Sequence, residues 1–94
     1  MKYIQFKWDE NKNHANIQKH KISFIEAKTV FYDEKARLIA DPDHSNREDR
    51  FIILGISHKA RLLVVVHTYK EHDELIRIIS ARKATKNESK HYIR

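Results

Sequence analysis

Cysteine is absent from this sequence, and glycine and proline occur once each. Without cysteine there is no disulfide and no thiolate zinc site, and a reducing compartment fits. The scarcity of glycine and proline argues against long disordered linkers. A lone glycine also excludes a glycine-rich phosphate loop. No apolar stretch approaches the roughly 20 residues that a bilayer span needs. The opening segment, MKYIQFKWDENK, lacks the uninterrupted apolar core of a signal peptide. These absences point to a soluble cytoplasmic protein. At 94 residues the chain has room for one core, so residues 1–94 are expected to form a single domain.

What the sequence does have is positive charge. The formal net charge is +6, and the sequence pI is about 9.7. A domain this small and this basic suits a polyanion, nucleic acid before an anionic membrane. No basic amphipathic segment with a broad apolar face supports the membrane.

Residues 48–83 organise the rest. Phe51–Ile56, Leu62–Thr68 and Leu75–Ala81 are rich in β-branched and aliphatic residues, with short polar breaks between them. The pattern predicts an antiparallel three-strand meander over residues 51–81. Consecutive apolar residues in LLVVV suit a central strand covered on both faces. A turn on Lys59-Ala60 and a loop over Lys70–Glu74 would set Ile52 and Arg77 opposite His67, and Arg50 opposite Tyr69. One face would then gather Arg50, His67, Tyr69 and Arg77 at one end, with Glu48 just beyond. A three-residue first loop would instead flip the first strand.

The flanks are simpler. Tyr3–Trp8 alternates as a strand, and Asp9 stands as a helix N-cap before Glu10. The helix that follows, to His20, has few apolar residues (Ala15, Ile17) and is expected to be thinly held. Ser23 with Glu26 has capping-box spacing and opens a short amphipathic helix to about Asp33. Arg37–Ala40 suits a short strand, and Asp41–Arg47 a polar loop. Gly55 inside a strand marks a bulge or a close backbone approach. Thr85 with Glu88 repeats the capping-box spacing, predicting a last helix over Lys86–Ile93.

The seven histidines, at 14, 20, 44, 58, 67, 72 and 91, show no ligand spacing within one element and no HExxH, so no metal site and no cofactor are expected. What remains is Glu48, Arg50, His67, Arg77 and Arg82, with Lys83 and Tyr92 close by in sequence. These types suit RNA cleavage without a metal. A base takes the proton of a ribose 2′-hydroxyl, and guanidiniums hold charge on the phosphoryl oxygens. His67, with an unperturbed pKa near 6.5, is the natural titrating group. The competing reading is a histidine packed at the sheet edge and an Arg77 simply paired with Glu48 or Asp49.

Nearly the whole chain resembles the BrnT toxin family. Phe6-Lys7-Trp8-Asp9, Lys12, Asn16 and Lys19-His20 are similar to its opening. Ser23-Phe24, Glu26-Ala27 and Val30-Phe31 match its second helix. Asp41, Asp43-His44-Ser45, Glu48-Asp49-Arg50-Phe51 and Gly55 match its central block. Arg61–Val65, the specific run Ile76–Thr85, Glu88 and Tyr92 match the C-terminal half. Lys21 departs from the glycine the family usually carries there, which would favour a left-handed helix cap. The resemblance implies an α+β, RelE-like fold: two N-terminal helices on a small antiparallel sheet, with a C-terminal helix. It implies a type II toxin that cleaves mRNA without metal and arrests bacterial growth. It also implies a BrnA-like ribbon-helix-helix antitoxin that masks the toxin, forms a heterotetramer with it and represses their operon, so that operator DNA is met only through the antitoxin. Carried onto matching positions, the catalytic candidates are Glu48, Arg50 and Arg77, joined by His67 from the register. The RNA-binding candidates are Arg82, Lys83, Tyr92 and Lys59. The alternative is a basic module that binds nucleic acid or protein and has no activity.

Overall fold

The computed structural model describes residues 4–40, 50–70, 72 and 74–92. In chain order it has β1 (Gln5–Lys7), α1 (Glu10–His20), α2 (Phe24–Thr29), a 3-10 turn (Val30–Tyr32), β2 (Arg37–Ala40), β3 (Arg50–Ile56), β4 (Leu62–Lys70), β5 (Leu75–Lys83) and α3 (Lys86–Ser89). The architecture is mixed α+β. The five strands form one sheet in the order β1-β5-β4-β3-β2. β1 runs parallel to β5, and the other pairs are antiparallel. No helix among the described residues is long and apolar enough to cross a membrane.

Local chemistry sets the helix ends. The Asp9 side chain accepts from the Asn11 N–H and starts α1. Lys21 ends it, in the left-handed conformation at φ 61°, with its N–H on the Ile17 carbonyl. The cap therefore forms on lysine as it would on glycine, at the steric cost of a Cβ. Ser23 caps α2 through the Glu26 N–H. The reciprocal bond of a capping box is missing there, because the Glu26 carboxylate turns inward. At α3 the box is complete between Thr85 and Glu88.

The core lies between the sheet and the helices. Ile22, Phe24, Ala27 and Val30 meet Ile53, Leu63, Val65, Ile76, Ile78 and Ala81, all buried. β4 is the middle strand, and its Leu63, Val64 and Val65 are buried on alternating faces. A smaller cluster on the second face joins Leu54, Val64 and Tyr92.

α1 is fixed by polar groups. Ala15 and Ile17 are exposed, and its buried residues are Asn13 and Asn16. The Asn16 amide donates to the Ala81 carbonyl at 2.8 Å and accepts from the Ala81 N–H at 3.1 Å. It also donates to the Ile22 carbonyl. Asn13 accepts from the Phe24 N–H. The helix is thus held by directed bonds where few apolar contacts exist.

Gly55 marks a close approach. A Cβ there would meet Val30 Cγ1 at 2.8 Å and Ala36 Cβ at 2.9 Å. Beside it, the Asp33 carboxylate accepts from the Ile56 N–H at 2.8 Å and from the Tyr92 hydroxyl at 2.5 Å. That carboxylate ties the 3-10 turn, β3 and the C-terminal region together.

A cationic row on the second face of the sheet

The register differs from the expected one at both hairpins. The first loop has three residues, His58, Lys59 and Ala60, with Ala60 left-handed at φ 61° and Ser57 paired to Arg61. A type I turn closed by a left-handed residue is a favoured three-residue hairpin. At the second hairpin Lys70 pairs with Leu75. Each slip moves a strand by one residue, and one residue exchanges the faces. His67 therefore lies opposite Phe51 and Ile78, while Thr68 lies opposite Arg50 and Arg77. A bulge at Val66/His67 leaves Ile79 as the extra residue on β5.

Two groups result. On the helix face His67 is fully buried among Phe31, Phe51 and Tyr69, with the Phe31 ring centroid 4.8 Å away. Its Nδ1 lies 3.1 Å from the Val65 carbonyl and its Nε2 lies 3.2 Å from the Tyr69 hydroxyl. That network assigns the proton to Nδ1, donating to Val65, with Nε2 accepting from Tyr69. Burial pushes the imidazole down to about 4, against the opposing pull of the Val65 carbonyl. His67 is a neutral core histidine, and the arrangement that set it beside Arg50 and Arg77 does not occur.

On the second face, Arg50, Thr68, Arg77 and Lys7 stand in register across β3, β4, β5 and β1. Paired residues project to the same side of a sheet. With strands roughly 4.8 Å apart, the row spans about 14 Å. Arg50 and Arg77 are half-buried and Lys7 is exposed. Thr68 is 3% exposed, and its buried hydroxyl has no hydrogen-bond partner among the described residues. Further along the same face lies a cavity of about 290 Å³, lined by Ile39, Ile52, Leu54 and Val64 with Arg37, Glu88 and His91; of these Ile52 stands next to Arg50 on that face of β3.

The other candidates lie elsewhere. Arg82 shares the second face, opposite Val64, but Glu88 takes its guanidinium through two 2.7 Å bonds. Those bonds, against burial, hold Glu88 at about 2. Lys83 is exposed at the end of β5. Lys59 is exposed in the β3–β4 loop, at the opposite end of the sheet from the row. Tyr92 is buried, with its hydroxyl on Asp33. Glu48 and the loop 41–47 lie outside the described residues. Lys7 and Thr68 escaped the sequence reading. The strand alternation around Lys7 was visible, but its parallel pairing with β5 was not.

A second ionic group is structural. Glu26 is buried and accepts from Ser57 at 2.7 Å and from the Arg61 guanidinium. Burial opposes its ionisation, but the Arg61 and Ser57 bonds outweigh it and keep the carboxyl below its usual range. Among the described residues, no group of three or more His, Asp or Glu side chains could hold a metal ion.

Comparison with known proteins agrees with this architecture. The 1.1 Å crystal structure of the Brucella abortus ribonuclease toxin BrnT is similar, with a TM-score of 0.63 and 25% identity, over 92% of this chain and 99% of that one. No curated protein matches. The model of the family described as the ribonuclease toxin BrnT of type II toxin-antitoxin systems matches residues 8–88. With most of its length matched, the chain belongs to the BrnT family of ribonuclease toxins.

Proposed function

We propose that this toxin is an endoribonuclease that cleaves mRNA without a metal and binds its substrate across the second face of the sheet. The observation that carries the reading is the row Arg50–Thr68–Arg77–Lys7. Three cations in line suit a phosphodiester backbone, and guanidiniums suit the charge that develops on phosphoryl oxygens. The cavity further along the same face, with apolar Ile39, Ile52, Leu54 and Val64 and polar Arg37, Glu88 and His91, suits a nucleobase. In the reaction the ribose 2′-hydroxyl loses its proton to a base and attacks the adjacent phosphorus. The bond to the 5′ oxygen breaks, that oxygen gains a proton, and a 2′,3′-cyclic phosphate remains. Neither proton transfer runs through His67, which is buried on the other face. A BrnA-like ribbon-helix-helix antitoxin covers the toxin in a heterotetramer and supplies the operator contact through which the pair represses its operon.

The test is incubation of RNA with the purified protein in EDTA. Fragments ending in cyclic phosphate are expected. Arg77→Ala should slow cleavage by about 100-fold while leaving the fold intact. Loss of all cleavage in EDTA, with recovery on added magnesium, would overturn the metal-free mechanism.

One observation favours a second reading. The histidine with the strongest claim to general-base work is sequestered on the opposite face from the arginines. On that reading the protein binds nucleic acid without cutting it. Binding that falls steeply with salt, and no fragments from wild-type protein, would be the result.

A further inference from the structure

We infer that Thr68 is a ligand-binding residue: its hydroxyl, set between Arg50 and Arg77, completes a subsite for one phosphate of single-stranded RNA. This rests on the reading of the second face as the RNA surface.

The argument starts from an unsatisfied atom. Buried polar groups in folded proteins are nearly always hydrogen-bonded. Asn13, Asn16, Glu26, Ser57 and His67 are buried here, and each has partners. Thr68 Oγ1 is the exception among the described residues. An unpaired buried hydroxyl is unfavourable, and valine has nearly the same shape without that penalty. The same strand carries Val64 and Val66 at the two preceding positions of the same face. Threonine at the third position therefore weakens the unliganded protein, with no hydrogen bond in return among the described residues.

The return comes with an anion. Register places one guanidinium-bearing residue on each side of Thr68, a single strand away. A phosphate held between them has an oxygen directed at the strand that separates them. A hydroxyl donating to that oxygen makes a charge-assisted bond, stronger than a neutral one. Lys7 adds a further cation beyond Arg77. The hydroxyl is covered in the free protein, so the incoming phosphate must displace what covers it.

The experiment compares wild type, Thr68→Val and Thr68→Ser. Binding is measured with a single-stranded oligonucleotide carrying 2′-deoxy substitutions throughout, which cannot be cleaved by 2′-hydroxyl attack. Inorganic phosphate serves as competitor. Thr68→Val is expected to raise Tm by about 4–8 °C and to weaken oligonucleotide binding about tenfold. Thr68→Ser should restore binding. The dependence of binding on salt should stay unchanged in Thr68→Val, because no charge is lost, whereas Arg77→Ala should reduce its slope by about one. A more stable Thr68→Val with undiminished affinity would overturn the subsite and leave a merely unsatisfied hydroxyl. The two readings fail separately. Cleavage by wild type with unaltered binding in Thr68→Val sinks the subsite alone. Weakened binding in Thr68→Val, with no cleavage by wild type, sinks the nuclease and keeps the subsite.

Discussion

Stability should fall in mild acid because of His67, and the size of the loss follows from its burial. The side chain is 0% exposed and is held neutral at about 4, against an ordinary value of 6.5. Between those values the unfolded chain binds a proton that the folded chain refuses. Stability therefore rises with pH across that window: it is complete above about 6.5 and declines as pH falls toward 4. At about 1.36 kcal/mol per pH unit, moving from pH 7 to pH 4.5 removes about 2 kcal/mol through this one group. Other carboxylates titrate in acid as well, so the informative quantity is a difference between two proteins. His67→Phe keeps an aromatic ring in the site and cannot titrate. Urea unfolding can be followed by fluorescence of Trp8, the single tryptophan, whose ring packs edge-on against buried Phe24. His67→Phe should be less stable than wild type at pH 7, since the Val65 and Tyr69 bonds are lost. Its loss on acidification should be smaller by about 2 kcal/mol. Equal losses in the two proteins would refute a neutral, buried imidazole.

Two further perturbations address the packing. Gly55→Ala places a methyl within 3 Å of Val30 and Ala36; it should cost about 1–3 kcal/mol in urea unfolding, and an unchanged midpoint would contradict the close approach. Glu26→Ala leaves the Arg61 guanidinium and the Ser57 hydroxyl without their carboxylate. It should cost about 3–5 kcal/mol, and a cost under about 1 kcal/mol would show that the buried pair does not hold α2 to the β3–β4 hairpin.

The parts of the fold visible in the sequence are those where one pattern answers to one force. Asp9, Ser23 and Thr85 announce helix starts because an orphan N–H needs an acceptor. The run LLVVV announces the middle strand because both its faces are covered. That same run hides the register. With apolar residues at consecutive positions, neither face is marked as inner, and a slip of one residue costs the pattern nothing. The loops decide instead, and Ala60 in a left-handed conformation carries no glycine or asparagine signal. Two slips left Arg50 and Arg77 together and sent His67 to the far side. Arg82 and Tyr92 show a related limit, since sequence gives their chemistry but not that Glu88 and Asp33 already occupy them. Lys7 joins the row through a parallel pairing with a strand nearly seventy residues away, which local pattern cannot reveal.

The way Asn16 grips Ala81 has a consequence for how the molecule comes apart. A side-chain amide that mimics a peptide unit docks its helix at one spot and in one orientation. Grease would let a helix slide and keep part of its hold, whereas a matched donor and acceptor offer no halfway position. The first helix should then leave the sheet as a single event, exposing the backbone of β5 when it goes.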